Sequence, residues 1–110
     1  MEVLLMKANW CGFCQEFLPV FESVQRDIEE NVDFDDDGIN FSIFENEDPK
    51  DRVTMRIFQI DSYPTIIFFK PKLDKYYKYT GSRASNKFRE AIKHHYENEF
   101  SEKNLEEYSI

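Results

Sequence analysis

The sequence predicts an α/β domain in which a mixed four-stranded sheet is flanked by helices. Apolar runs of strand length alternate along the 110 residues with stripes of apolar residues at helical spacing. The elements follow in the order βαβ and then ββα, which brings the strands into one sheet. Hydrophobic residues make up 41% of the chain, with eleven Phe and six Tyr, so one domain can bury a real core.

The first half of the chain predicts a βαβ unit. An apolar run indicates a strand over residues 2–7, and a helix is predicted over 11–31 because apolar residues recur there every three or four positions. Residues 39–45 alternate between apolar and polar side chains, as a strand with one buried face does. The acidic segment between them, Asp33 to Gly38, fits half of a calcium loop. Phe44 stands where the bidentate Glu is needed, so we expect a solvated turn.

The second half predicts a ββα unit that follows another helix. That helix begins at Asp48-Pro49, where Asp can cap and Pro suits the first position, and it runs to about residue 59. We expect its inner face to carry Val53, Ile57 and Phe58. Strands at 65–70 and 75–80, joined by a turn at 71–74, precede a last helix over about 85–100. Residues 1–100 then form the domain, and 101–110 form an acidic C-terminal extension, helical or frayed.

The sulfur chemistry of the chain lies in one short segment. Cys11 and Cys14 are the only cysteines. A zinc site needs four ligands, and the adjacent His94 and His95 would point about 100° apart on a helix, so they cannot complete a tetrahedron with the cysteines. A structural disulfide across two intervening residues would restrict the unfolded chain very little. This pattern therefore indicates thiol–disulfide exchange and no metal.

The two cysteines are expected to differ in reactivity. They lie where the first strand passes into the first helix, with Cys11 at the opening turn. Unpaired backbone N–H groups and the helix dipole favour a thiolate at that position. Cys14 lies one turn deeper, on the face that points inward. We therefore predict that Cys11 attacks and that Cys14 resolves the mixed disulfide.

Three motifs carry a resemblance to a known family. Over nearly all of residues 2–100 the sequence resembles the thioredoxin superfamily, and most closely a protein disulfide isomerase catalytic domain. The matching residues are Trp10-Cys11-Gly12-Phe13-Cys14 for the WCGxC active site, Pro19 for the proline of the active-site helix, Ser62-Tyr63-Pro64-Thr65 for the YPT segment, and Tyr79-Thr80-Gly81-Ser82-Arg83 for the YxGxR stretch.

The resemblance implies roles for residues around the cysteines. It implies a cis peptide bond before Pro64, facing the cysteines, with backbone groups of Tyr63 free to pair with a substrate strand. It also implies that Arg83 is a third catalytic residue, which moves toward the buried thiol. The expected substrate-binding residues are Trp10, Gly12, Phe13, Tyr63 and Pro64.

The sequence departs from the family in three ways. Only ten residues precede Cys11, so we expect the fold to lack the family's N-terminal strand–helix unit, as glutaredoxin-like proteins do. The strand at 39–45 then becomes a sheet edge, and the protein a monomer or a weak dimer through it. The buried acid that the family places six residues before the first cysteine is Leu5. Phe13, which replaces His or Pro, cannot donate a hydrogen bond to a thiolate.

Charge and composition exclude some classes of function. The net charge of −8 argues against nucleic acid as a partner, and no apolar stretch is long enough to cross a membrane. We expect no cofactor. Without a recognisable signal peptide or ER-retention sequence, the expected setting is the cytoplasm, or that of a viral protein in a host cell.

The sequence therefore predicts a thiol–disulfide oxidoreductase, either a reductase or an isomerase, that acts on protein disulfides. Its expected partners are disulfide-containing proteins and, as electron donor, a reductase or glutathione. Two alternatives remain open. One is a glutaredoxin-like enzyme acting on glutathione mixed disulfides, and the other is a non-catalytic thioredoxin-fold module that binds peptides.

Overall fold

The computed structural model describes residues 1–30 and 38–98, and the backbone of residues 105–109. Of the predicted acidic turn from Asp33 to Gly38, residues 33–37 lie outside the described residues. The α/β fold class is confirmed, and each predicted helix and strand is present. The elements are β1 (Glu2–Lys7), α1 (Gly12–Glu29), β2 (Asn40–Glu45), α2 (Pro49–Ile57), β3 (Thr65–Lys70), a 3₁₀ turn (Pro71–Leu73), β4 (Lys75–Tyr79), α3 (Ser85–Glu97) and β5 (Leu105–Ser109).

One mixed sheet runs through the domain in the order β2-β1-β3-β4-β5. β1 pairs parallel with β2, whereas β3, β4 and β5 join by antiparallel pairing. The sheet thus has a fifth strand where the sequence analysis expected a helical or frayed extension. LEEYS carries few apolar residues and alternates poorly, so its strand signal is weak. β2 lies at the edge, as predicted.

Two hydrophobic clusters cover the two faces of the sheet. On one face α1 and α3 pack together through Phe17, Phe21 and Phe88, with the rings of Phe17 and Phe88 5.3 Å apart. On the other face α2 packs through Met55 and Phe58. β1 lies between these layers, and its residues 3–6 are all buried. The sequence of such a strand is a continuous apolar run, because both of its faces are covered.

The inner face of α2 differs from the prediction. Phe58 is buried, as expected, but Val53 and Ile57 are 51% and 53% exposed, and Met55 is the buried residue within the helix. Met55 lies two positions from each of them, about 200° around a helix, so a helix that buries Met55 turns both outward. The spacing of Val53 and Ile57, four residues apart, had predicted that both lie on the buried face.

Two further features concern α3 and the helices as a group. His95 is buried on α3, with its ring 5.7 Å from that of Phe68. Among the helices of the described residues, none combines the length and the apolar character that crossing a membrane requires.

Candidate redox site

Cys11 is the N-cap of α1. Its backbone is extended (φ −86°, ψ 116°), and its sulfur accepts the backbone N–H of Cys14 at 3.2 Å. The Cys11 carbonyl accepts the N–H of Gln15, which starts the helical hydrogen bonds. An N-cap side chain normally satisfies an unpaired N–H of the first turn in this way. The same N–H can stabilise a thiolate at Cys11, since hydrogen bonds to a charged acceptor are stronger.

Cys14 is the deeper of two free thiols. It is 1% exposed, against 6% for Cys11, and both pack against Ala8. Burial and the hydrogen bond with Cys11 raise the pKa of Cys14 to about 11, and the backbone hydrogen bond with Ala8 and, less strongly, the charge of Lys7 act in the opposite direction. Cys14 is therefore a neutral thiol near pH 7. That it resolves the mixed disulfide stays a prediction.

The start of β3 meets the start of α1 at the cysteines. The Tyr63–Pro64 peptide bond is cis, which is the isomer that the resemblance implies. The Cys11 thiol donates to the Tyr63 carbonyl oxygen, with the sulfur 3.6 Å from the oxygen. The Tyr63 hydroxyl donates to Oδ1 of Asn46 at 2.9 Å. The structure therefore brings Tyr63 and Pro64 beside Cys11, although the two segments are far apart in the sequence.

Two exposed aromatic side chains flank the cysteine pair. Trp10 is 66% exposed and Phe13 is 64% exposed. The Trp10 ring meets that of Tyr63 edge to face, with the ring centroids 5.8 Å apart. Gly12 lies between Trp10 and Phe13 in the chain, and a Cβ added to it would meet no atom within 4 Å. The fold itself does not require glycine at this position, and the space above it is open to a ligand.

Arg83 lies on the surface over Phe13. The central carbon of its guanidinium is 5.5 Å from the centre of the Phe13 ring, a cation–π distance. The two side chains border a groove of about 360 Å³ that passes Tyr63 and Pro64. The structure thus brings Arg83 to Phe13 and not to Cys14. A movement of Arg83 toward the buried thiol stays a prediction.

The loop that carries Arg83 depends on a close approach. A Cβ on Gly81 would lie 2.5 Å from the Tyr79 hydroxyl oxygen. That hydroxyl donates to the carbonyl oxygen of Ser82 at 2.6 Å, which closes the loop. The Tyr79 ring also packs against Phe88, so it has little room to move. Glycine is therefore needed at this position, unlike at Gly12.

Lys7 and Glu45 form an ion pair that the sequence analysis did not identify. Nζ of Lys7 lies 2.6 Å from Oε2 of Glu45, and Oε1 of Glu45 accepts the backbone N–H groups of Asn9 and Glu47. Lys7 and Glu45 are the last residues of parallel strands and stand opposite each other in register. A charged residue ending each of two adjacent parallel strands was the signal available in the sequence.

Burial opposes the ionisation of Glu45, but the Lys7 ammonium and the N–H groups of Glu47 and Asn9 outweigh it. The pKa of Glu45 is therefore lowered, and the carboxylate stays charged at neutral pH.

Within residues 1–30 and 38–98, no three His, Cys, Asp or Glu side chains come together in a way that could hold a metal ion.

Sequence comparison connects the chain with known proteins. The sequence model of the thioredoxin family matches residues 2–94. A thioredoxin of Borreliella burgdorferi is 30% identical over 70 residues, which are 60% of this chain and 52% of that protein. The matched part thus spans about half of the relative's length.

Solved structures of similar fold are more distant in sequence. The first thioredoxin domain of mouse protein disulfide-isomerase A4 superposes with a TM-score of 0.71 at 22% identity, over 91% of this chain and 66% of that one. The zinc-bound form of human ERp44 gives 0.70 at 23% identity, over 84% and 26%. The first two thioredoxin domains of Naumovozyma dairenensis Eps1p give 0.65 at 18% identity, over 83% and 33%. At these identities the likeness concerns the fold.

Proposed function

The chain belongs to the thioredoxin family, and on that premise we propose that it is a thiol–disulfide oxidoreductase that acts on protein disulfides. The observation that carries the proposal is the position of Cys11. Its sulfur caps a helix, receives the N–H of Cys14 and lies beside the Tyr63 carbonyl. This arrangement supports a nucleophilic thiolate next to a backbone segment where an extended peptide can bind.

Reduction of a substrate disulfide takes two exchanges. The Cys11 thiolate attacks one substrate sulfur, so that a mixed disulfide forms and the other substrate sulfur leaves as a thiolate, which takes a proton from water. Cys14 then loses its proton and attacks the Cys11 sulfur. The Cys11–Cys14 disulfide forms, and the second substrate thiol is released. Two electrons pass from the protein to the substrate, and a reductase or glutathione would return them.

Isomerisation would use only the first exchange. Cys11 would open a wrong disulfide, and another thiol of the substrate would displace it before Cys14 does. The high pKa of Cys14 supports this use, because a slow resolving thiol leaves time for rearrangement. Trp10 and Phe13 would supply an apolar surface for an unfolded client, since both are largely exposed.

Insulin reduction by dithiothreitol tests the proposal. The wild-type protein should accelerate the reaction, and Cys11→Ser should abolish the acceleration. Cys14→Ser should accumulate a mixed disulfide with the client, visible on a non-reducing gel and reversed by reductant. Refolding of a scrambled disulfide protein then measures isomerase activity separately.

Two outcomes would contradict the proposal. Activity confined to hydroxyethyl disulfide with glutathione would indicate the glutaredoxin-like alternative. Inactivity in both assays, with retained peptide binding, would indicate a non-catalytic module. A Pro19→Ala variant, altered inside α1 at an exposed position, is a control for general disturbance of the active-site helix.

A further inference from the structure

Arg83 lies beside the proposed site with its charge available to a ligand. Its side chain is exposed, and it forms no ion pair and no hydrogen bond with any other residue that the structure describes. The guanidinium is held by the Phe13 ring, whose centre is 5.5 Å from the central carbon. The chain has 22 acidic residues against 14 Lys and Arg, so an arginine without a carboxylate beside it is unusual here. A bound client can supply that carboxylate.

We propose that Arg83 is a specificity-determining residue: its guanidinium binds the carboxylate of an Asp or Glu that stands within about two positions of the reacting cysteine of the client. The substrate class is therefore an extended, acidic peptide segment around a disulfide. The inference rests on the proposed function, because it names the clients that the same site selects.

The groove that would receive the client contains one charge. It has a volume of about 360 Å³, and among the eight described residues that line it, Arg83 is the one that is ionised at neutral pH. Tyr63 and Pro64 line the same groove, and the Tyr63 carbonyl oxygen is 3.6 Å from the sulfur of Cys11. An extended client advances about 3.3 Å per residue, so residues next to its cysteine fall within this groove.

A second groove, on the other side of Phe13, has a different charge. It has a volume of about 280 Å³ and is lined by Glu16 and Arg83 together with the apolar side chains of Phe13, Phe17 and Val20. Glu16 is not within ion-pair distance of Arg83, but its carboxylate would repel an acidic side chain that entered there. A client carboxylate is therefore favoured in the larger groove, which has the cation alone.

The Phe13 ring suits this role because it supports the guanidinium without using its hydrogen bonds. The ring attracts the cation through its face and accepts no conventional hydrogen bond. The N–H donors of an arginine lie in the plane of the group, in a fork that matches both oxygens of a carboxylate. With Arg83 over Phe13, these donors stay available for a carboxylate of the client.

The acidic character of the whole chain does not prevent this selectivity. The net charge is −8, which taken alone would repel an acidic client. At physiological ionic strength, however, charges are screened beyond about 8 Å, so carboxylates elsewhere on the surface act weakly at the groove. A client carboxylate in contact with the guanidinium lies well inside that distance. The selectivity is therefore local, and added salt should reduce it.

Pairs of short peptides that differ in one side chain measure the selectivity. Each peptide carries one cysteine in a disulfide with a common second peptide, and either Glu or Gln stands at one of the two positions on either side of that cysteine. Glu and Gln have nearly the same shape, so charge is the difference. A carboxylate raises the pKa of a nearby leaving thiol and slows any exchange, so each rate is divided by the rate with dithiothreitol alone. Uncharged dithiothreitol is the reductant, because glutathione carries carboxylates itself.

The measured quantity is the ratio of kcat/KM for a Glu peptide to that for its Gln counterpart. At low salt and at the best position, the wild-type ratio should be about threefold, as expected for an exposed ion pair. Arg83→Gln should bring the ratio to about one, Arg83→Glu should reverse it, and Arg83→Lys should keep part of it. A general change in rate caused by a substitution cancels in the ratio.

Two neighbouring variants and one control complete the test. Glu16→Gln removes the competing carboxylate and should raise the ratio, and it decides the question if the Arg83 variants fold poorly. Phe13→Leu removes the ring that holds the guanidinium and should lower the ratio partway. Arg89→Gln is the matched control, because Arg89 pairs with Asp27 and lines neither groove, so its ratio should equal that of wild type.

The inference is overturned if Arg83→Gln keeps the wild-type ratio, or if Arg89→Gln loses it equally, since the net charge would then explain the preference. It is also overturned if Arg83→Gln slows Glu and Gln peptides by the same factor, because Arg83 would then act on the exchange itself. A wild-type protein that reduces none of the peptides contradicts the proposed function. One that reduces Glu and Gln peptides equally well contradicts only the selectivity.

Discussion

The thiol of Cys11 donates to the carbonyl oxygen of Tyr63 across 3.6 Å, between residues that are 52 positions apart in the sequence. The reacting sulfur and the backbone that would receive a substrate strand are therefore neighbours only in the folded chain. The hydroxyl of the same Tyr63 is held by Asn46, and its ring by Trp10. The geometry of the site thus depends on contacts from three elements.

The two thiols should be alkylated in a fixed order. With limiting iodoacetamide near neutral pH, Cys11 should be modified first, because Cys14 is 1% exposed and its pKa is raised to about 11. Labelling of Cys14 should increase as the pH approaches that value. Peptide mass spectrometry measures the order, and denatured protein is the control in which the preference disappears. Preferential labelling of Cys14 would contradict the assigned roles.

Removing the hydroxyl of Tyr63 should destabilise the site. Tyr63→Phe deletes the 2.9 Å hydrogen bond to Asn46, so the free energy of unfolding should fall by about 1 kcal/mol. Urea unfolding measures the loss. A double-mutant cycle with Asn46→Ala should give a coupling energy of about 0.5 kcal/mol or more, since the residues are in contact. Additive effects would show that the hydrogen bond contributes little.

Two glycines should respond in opposite ways to the same substitution. Gly81→Ala places a Cβ 2.5 Å from the Tyr79 hydroxyl oxygen and should cost about 1–3 kcal/mol of stability through overpacking. Gly12→Ala meets no atom within 4 Å, so stability should be unchanged or slightly higher. Its cost should appear in insulin reduction, because the methyl group occupies space open to the substrate. Equal stability of both variants would contradict this account.

Glu45 should make stability depend on pH in the acid range. Its pKa in the folded protein is held below the ordinary value of 4.5, against burial, by Lys7 and two backbone N–H groups. The stabilisation is therefore fully present above about pH 4.5 and is lost as the pH falls through the lower, folded value. Glu45→Gln should be less stable than wild type at pH 7 by about 1 kcal/mol. The difference should shrink as denaturation is measured at lower pH, and a constant difference would contradict the assignment.

Phe13 should make the reduction potential of the Cys11–Cys14 pair more negative. A phenyl ring donates no hydrogen bond to the Cys11 thiolate, so we expect a value below roughly −180 mV and nearer roughly −270 mV in a glutathione or dithiothreitol buffer. Phe13→His should raise it, by about 30 mV for each 1.4 kcal/mol of added thiolate stabilisation. Phe13→Leu, which adds no donor, is the control and should leave the potential unchanged. A wild-type value above −180 mV would contradict the expectation.

Local sequence patterns predicted most of the fold, because each strongly patterned segment is also a regular element. β1 and β3 have the predicted bounds, since both are buried apolar runs with clear ends. The predicted inner face of α2 was wrong. The four-residue spacing of Val53 and Ile57 matches that of a buried stripe, although the nine-residue helix buries Met55 instead. β5 was missed because LEEYS lacks a clear apolar alternation and its backbone pairing with β4 cannot be read from the sequence.

The site was predictable to the extent that its residues are local in sequence. Cys11 at the helix start and Cys14 one turn deeper follow from a strand that passes into an amphipathic helix. The predicted strands already end at Lys7 and Glu45, but the contact itself could not be derived, because it depends on the register of two parallel strands that are separated by a whole helix. The position of Arg83 over Phe13 depends likewise on how the last loop packs.

The edge-to-face contact of Trp10 with Tyr63 means that the fluorescence of Trp10 should report on this site. Trp10 is the only tryptophan of the chain, and it directly precedes Cys11, the proposed nucleophile. A peptide that binds along Tyr63 has to share this aromatic surface, so its arrival should alter the indole emission. Binding and release of the peptide could then be followed in real time by the tryptophan fluorescence of the unlabelled protein.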